Sequence, residues 1–419
     1  MRLYSWLDLF SARLRSLYRR RPRRPRPASP AGRARGLTFE RLEDRLLLAA
    51  PNPVNLTGFT GATGFQVLGG AAGENLGTDV TNLGDINGDG YEDFAIGTDQ
   101  RGVHVIFGRP DFTPTAGTID LTTPLVGTQG FTLSAVGMTR RDGGALAPPT
   151  GMGLTVAGGG DFNADGLHDI LVGMPNWNDS AGTAVNNRGG AFVIFGATDI
   201  GQLGGPGGGV AGVFNLAPFG QTAGQAGQTT NGWGNEVVGI AGFQDGERAG
   251  PSVAIIGEVN GHGFDDVTDN PNVLNNHGQA YVVFGKFIGP NNGSGWRGNS
   301  VVDLNNEMKL TGAGSGDQAG WAVGGVGDVN GDGIHDFAVT ARYDDDSEAN
   351  SGTTYLIFGS TSLGANLSLT PGTFNGSNGV ALIGIGNGDR SGTSVSGGGD
   401  INGDGFDDQI GRASCRERV

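Results

Sequence analysis

Asp85-Ile86-Asn87-Gly88-Asp89-Gly90-Tyr91-Glu92-Asp93 puts three aspartates and an asparagine on alternate positions of nine residues, with no lysine or arginine among them. Unpaired carboxylates this close repel one another unless a cation lies between them. Alternate side chains of a tight loop point inward, so Asp85, Asn87 and Asp89 converge. The carbonyl of Tyr91 and the carboxylate of Asp93 complete an all-oxygen set of the kind calcium takes. Gly90 permits the sharp bend that a side chain would resist.

The loop recurs. Asp161, Asn163, Asp165, Leu167 and Asp169 hold the same places in a second copy, and Asp328, Asn330, Asp332, Ile334 and Asp336 in another. Asp400, Asn402, Asp404, Phe406 and Asp408 form the last. Asp, Asn and Gly also make ordinary turns, but four matching copies without a local cation favour the calcium reading. A degraded copy, Glu258-Val259-Asn260-Gly261-His262-Gly263-Phe264-Asp265-Asp266, replaces two aspartates and is expected to bind poorly or not at all. An EF-hand is excluded, because its twelfth position needs a bidentate Glu. Ile96, Val172, Val339 and Gly411 stand there instead.

Loops starting at 85, 161, 258, 328 and 400 are separated by 76, 97, 70 and 72 residues. Such periods are long for helical solenoids and suit four-stranded propeller blades with variable connections. Other elements keep step. An apolar strand follows the loop, as in Phe94-Ala95-Ile96, Ile170-Leu171-Val172 and Phe337-Ala338-Val339. A second strand ends in Phe-Gly at Phe107-Gly108, Phe195-Gly196, Phe284-Gly285 and Phe358-Gly359. A polar-edged strand comes next at Ile119-Asp120-Leu121, Phe214-Asn215-Leu216 and Val302-Asp303-Leu304, and once early at Val54-Asn55-Leu56. β-branched and aromatic runs bounded by glycine read as buried strands. The fold class is all-β.

Composition agrees. Glycine supplies 82 and proline 18 of 419 residues, and each glycine costs a helix about 1 kcal/mol. That weighs against a helical or α/β enzyme. No Ser-His-Asp spacing, Walker loop or dinucleotide fingerprint appears, and the array is expected not to be an enzyme. His168 and His335 read as solvent-facing turn residues, and Trp177, Trp233, Trp296 and Trp321 as anchors rather than a sugar-binding face.

The loop and the Phe-Gly strand together resemble FG-GAP repeats, the blades of the integrin α-chain propeller. The resemblance spans residues 51–408, although the Gly-Ala-Pro half survives only as Gly173-Met174-Pro175. It implies a seven-bladed propeller with calcium in hairpin loops on one face and a ligand on the other. Residues 51–409 hold about four blades and the opening of a fifth.

The flanks differ. Residues 1–50 carry 13 Arg against 4 acids, whereas residues 51–409 carry 37 acids against 11 bases. So acidic a body repels phosphate backbones, which excludes nucleic acid as its partner. Leu3, Trp6, Leu7, Phe10, Leu14 and Leu17 form one apolar face at helical spacing before a proline–arginine run, so residues 1–26 could touch an anionic membrane surface. Phe39–Ala50 resembles the LEPR-XLL segment of large bacterial surface proteins, with Asp44 in place of its usual proline. That implies targeting or sorting to the cell surface or outside the cell. No run is long enough to span a membrane.

After Asp408 the repeat calls for an apolar strand, but residues 410–419 turn basic and contain the only cysteine, Cys415. The string resembles translated sequencing-adapter DNA joined to a broken frame, so 410–419 is expected to be an artefactual tail on a longer protein. The leading functional expectation is an extracellular, calcium-stabilised adhesion or recognition module for a protein or carbohydrate ligand. The alternatives are an accessory array of a secreted hydrolase or lyase, or a structural surface protein.

Overall fold

The structure is a computed structural model that describes residues 64–98, 102–110, 117–123, 125, 127–134, 155–175, 189–200, 213–215, 237–242, 249–262, 266–269, 277–286, 301–304, 307–363 and 366–412. The chain divides into two units, Met1–Thr57 and Gly58–Val419, and every described residue belongs to the second. The N-terminal segment, Val54-Asn55-Leu56, Trp177, Trp233, Trp296 and residues 413–419 lie outside the described residues.

Four sheets of four antiparallel strands form successive blades of a β-propeller. Blade one contains β2 (Val80–Gly84), β3 (Asp93–Gly97), β4 (Val103–Ile106) and β6 (Gly130–Ser134), with β1 (Gln66–Leu68) before it and β5 (Thr118–Asp120) within its third connection. Blade two contains β7 (Thr155–Gly160), β8 (Asp169–Gly173), β9 (Gly190–Ile194) and β11 (Val237–Ala241), with β10 (Val213–Asn215) in the same connection. Blade three contains β12 (Val253–Gly257), β13 (Asp266–Asp269), β14 (Gln279–Val283) and β16 (Met308–Gly312), with β15 (Val301–Asp303). Blade four contains β17 (Ala319–Gly327), β18 (Asp336–Ala341), β19 (Thr353–Ile357) and β21 (Gly379–Ile383), with β20 (Asn366–Leu369). A hairpin of β22 (Ser394–Gly399) and β23 (Asp408–Arg412) opens the next unit. It runs through Ile410–Arg412, three residues past the boundary drawn from the sequence.

The polar-edged strands do not stay in their own blades. Each runs back and pairs in parallel with the outermost strand of the preceding one. Phe214 of β10 lies opposite Leu133 of β6, Val302 of β15 opposite Ile240 of β11, and Leu367 of β20 opposite Leu310 of β16. Ile119 of β5 makes the same pairing with Val67 of β1. Each donated strand covers an edge that would otherwise present unpaired N–H and C=O groups.

The core lies between consecutive blades. Strand period two sends alternate residues of one strand into two different clusters. Ile170 and Val172 pack toward blade one with Leu83, Val105 and Phe131, whereas Leu171 packs toward blade three with Tyr281 and Val283. In the same way Phe192 and Ile194 face one neighbour, and Val193 and Phe195 the other. A third cluster joins Ile256, Val282 and Leu310 to Val323, Phe337, Val339 and Tyr355 between blades three and four. This two-sided burial explains why the middle strands read as continuous apolar runs. Burying each such side chain is worth about 1.5–3 kcal/mol.

The innermost strands approach closely, in the order β2, β7, β12, β17, β22. Glycine makes that approach possible. A Cβ at Gly158 would stand 2.7 Å from Leu83 Cα, one at Gly325 2.9 Å from Ile256 Cα, and one at Gly397 2.9 Å from Val326 Cα. Gly325→Val should therefore destabilise the protein by about 1–3 kcal/mol through overpacking. Chemical denaturation checks this, and a loss below about 0.5 kcal/mol would show that the inner strands are not closely packed there.

Candidate metal centres

Each nine-residue loop joins the first and second strands of a unit: β2 to β3, β7 to β8, β12 to β13, β17 to β18 and β22 to β23. All five therefore occupy the same end of their hairpins. The first aspartate organises the loop. Asp85 accepts N–H bonds from Gly88 (2.7 Å), Asp89 (3.2 Å) and Gly90 (2.9 Å). Asn87 accepts from Asp89, and Asp89 from Tyr91. Asp328 repeats the pattern with Gly331, Asp332 and Gly333, and Asp400 with Gly403, Asp404 and Gly405. In the second loop Asp161 accepts from Asp165 and Gly166, and the Asn163 amide also donates to the Asp165 carboxylate. The degraded loop keeps part of this geometry: the His262 N–H reaches both Glu258 and Asn260.

The ninth aspartate has a structural duty that the sequence reading did not assign. Asp93 accepts the Ile86 N–H (3.0 Å) with one oxygen and the Gly108 N–H (2.8 Å) with the other. Asp169 does so with Phe162 (2.7 Å) and Gly196 (2.9 Å), and Asp336 with Val329 (3.0 Å) and Gly359 (2.8 Å). The calcium-type loop is thereby pinned to the glycine of the Phe-Gly strand. No other residue fits there: a Cβ would fall 2.3 Å from the Glu92 carbonyl oxygen at Gly108 and 2.2 Å from that of His335 at Gly359.

His168 and His335, read from the sequence as solvent-facing turn residues, clasp neighbouring loops. The His168 Nδ1 accepts the Asp85 N–H (2.9 Å), while the His168 N–H returns to the Asp85 carbonyl (3.0 Å). His335 makes the same reciprocal pair with Glu258, and Asp407 with Asp328. The eighth residue of one loop thus grips the first residue of the loop before it. The available signal was chemical: Glu92, His168, Asp265, His335 and Asp407, at the eighth positions, all carry polar side chains.

Burial dominates the electrostatics. It pushes the Asp93 and Asp336 carboxyls up to about 6, helped by the charges of Asp85 and Asp89 in one loop and Asp328 and Asp332 in the other, and opposed by the backbone N–H groups. The almost fully buried Asp169 is driven well above the ordinary carboxylate range for the same reason. Asp400 moves the other way, held low by the N–H of Gly405. Among the described residues, no three carboxylate or imidazole groups converge into a preformed cation cage. The donor set is nevertheless all oxygen, and carboxylate oxygens that accept one N–H retain a second lone pair for a cation. In composition the loops fit a hard divalent ion.

Residues 319–357, which span the third intact loop and its flanking strands, match the FG-GAP repeat family. Integrin alpha-PS2 of Drosophila melanogaster is 29% identical over 210 residues, which cover 48% of this chain and 11% of that protein. One stretch of the β-propeller is thus similar to an FG-GAP repeat. The chain spans only a small fraction of the relative it matches. Among the described residues, no helix is long and apolar enough to cross a membrane.

A carboxyl whose folded pKa is raised holds its proton where the unfolded chain has already lost it, so stability falls as pH rises between the two values. For Asp93 and Asp336 that window runs from the ordinary aspartate value of 3.8 to about 6. In chelator, melting temperature should decline across this range and level off above it. Replacing both aspartates by Asn should flatten the decline, and an unchanged slope in that variant would overturn the assignment.

Proposed function

We propose that the chain is an extracellular, non-catalytic recognition module, a propeller whose hairpin loops hold calcium. One observation carries the reading. Three loops each contain three electrostatically coupled carboxylates, at Asp85/Asp89/Asp93, Asp161/Asp165/Asp169 and Asp328/Asp332/Asp336, and no lysine or arginine lies within them. The fourth, Asp400 to Asp408, has the same residues.

In each loop the first, third and fifth side chains would hold the ion, with the carbonyl of the seventh residue (Tyr91, Leu167, Ile334 or Phe406). The ninth aspartate would anchor loop to strand and share the charge. Bound calcium would supply the positive charge that relieves the mutual repulsion of these carboxylates. The role is structural: it stiffens one end of every blade, on the side where consecutive loops clasp. The similarity to an integrin α chain supports a cell-surface setting and a protein ligand.

Extracellular modules bind calcium at about 10⁻⁴–10⁻³ M. At tenfold excess over Kd, each occupied site should add about 1.4 kcal/mol to stability. Thermal melts of the chelated protein, repeated with millimolar calcium, should show that gain, and Asp89→Ala or Asp332→Ala should each remove one increment. The double change Glu258→Asp with His262→Asp should add one by restoring the degraded loop. Identical melts in calcium and chelator would overturn the reading.

A further inference from the structure

The end of blade four away from the calcium-type loop carries a different chemistry. Trp321 stands near the start of β17, Arg342 and Tyr343 follow β18, and Arg390 lies in the connection from β21 to β22. The Arg342 guanidinium sits 3.2 Å over the Trp321 ring and 4.5 Å from the Tyr343 ring centroid, and the Arg390 guanidinium lies 5.0 Å from that same Tyr343 centroid. Arg342 Nη2 donates to the Tyr343 hydroxyl (2.6 Å). Trp321 remains 39% exposed, Arg390 is exposed, and Arg342 and Tyr343 are half-buried.

Carboxylates are plentiful in the same connections, yet they are turned to other work. Asp344 and Asp346 accept from the Tyr355 hydroxyl, Asp345 from the Asn350 N–H, Asp317 from the Gly314 N–H and Asp389 from the Gly386 N–H. Among the described residues neither arginine has a carboxylate bonded to it; Arg342 Nε is buried and closed to a ligand, so the contact falls to the terminal nitrogens of that guanidinium. In a region of 37 acids and 11 bases, two guanidinium groups held on aromatic rings without an ion-pair partner are unusual. Stacking occupies the faces of a guanidinium and leaves its N–H edges available for bidentate contact with an oxyanion.

We propose that Trp321, Arg342, Tyr343 and Arg390 form a docking site for an acidic peptide segment of a partner protein, whose Asp or Glu carboxylates bridge the two guanidinium groups. This deepens the recognition reading above and rests on it. Charge complementarity selects the occupant. A long polyanion is repelled by the acidic body along its whole length, whereas a short segment needs only one carboxylate at the two guanidinium groups. A sugar ring is disfavoured because Arg342 already covers the Trp321 face on which it would stack.

The test is fluorescence anisotropy of fluorescein-labelled hexaglutamate with the full 419-residue chain in chelator and low salt, with oligogalacturonate as a competing arm. The basic N-terminal segment contributes equally to every variant, so the readout is the difference among them. Arg342→Gln and Arg390→Gln should each weaken binding at least fivefold. The double variant should retain only the binding that the N-terminal segment supplies, and Arg→Lys at both positions should not restore the difference, because an ammonium lacks the planar fork. Equal binding by wild type and double variant would overturn the proposal, as would preferential capture of oligogalacturonate. Melts of the same variants separate the two readings: a retained calcium gain without peptide binding sinks the docking site alone, and arginine-dependent binding without a calcium gain sinks the calcium role alone.

Discussion

A single buried carboxylate in each of three blades holds the architecture together. Asp93, Asp169 and Asp336 each tie the second residue of an acidic loop to the glycine that ends a Phe-Gly strand. Charge-assisted bonds of this kind are stronger than neutral ones, and burial keeps water from competing. The second and third strands of each of these blades are already joined by their antiparallel ladder; the pin adds a directional tie between that ladder and the loop. With it, the loop is fixed relative to the sheet. The clasps from His168, His335 and Asp407 then have a defined target on the preceding loop. The same carboxylate carries the electrostatic cost of the loop, since its neighbours at the first and fifth positions raise its proton affinity further.

Much of this was legible in the sequence because it is local. The nine-residue loops declare themselves by composition and spacing, and all five fall in hairpins between first and second strands. The apolar runs Ile170–Val172 and Phe337–Val339 are buried strands, as their residue types indicate. What the sequence did not disclose is which strand pairs with which. Phe214-Asn215 reads as a polar-edged strand without a stated neighbour, and its hydrogen-bond partners belong to the blade before. An alternating pattern specifies a strand and a face; it does not name the neighbour across a long connection.

Two further sets of side chains escaped the sequence reading for the same reason. Glu74, Asp317 and Asp389 each precede an inner strand and accept the N–H of a glycine three or four residues earlier: Gly70, Gly314 and Gly386. Their spacing was visible, but nothing local distinguished them from ordinary turn acids. Arg342 and Arg390 are far apart in sequence and meet only because β18 and β21 end on the same side of blade four. Trp321, expected to be an anchor, is instead a partly exposed platform beneath a guanidinium. The readings placed on residues 1–50 fall outside the described structure.

The backward donation of β5, β10, β15 and β20 bears on how the chain is made. A ribosome or an export channel releases residues from the N-terminus onward, and domains ordinarily fold as they emerge. Here none of the first three blades is finished when its own four strands are out, because its outermost strand waits for a partner encoded in the next unit. Each newly emerged blade therefore completes its predecessor before it can itself be completed. Maturation travels along the chain as a wave one unit behind synthesis, with one unfinished edge at its front.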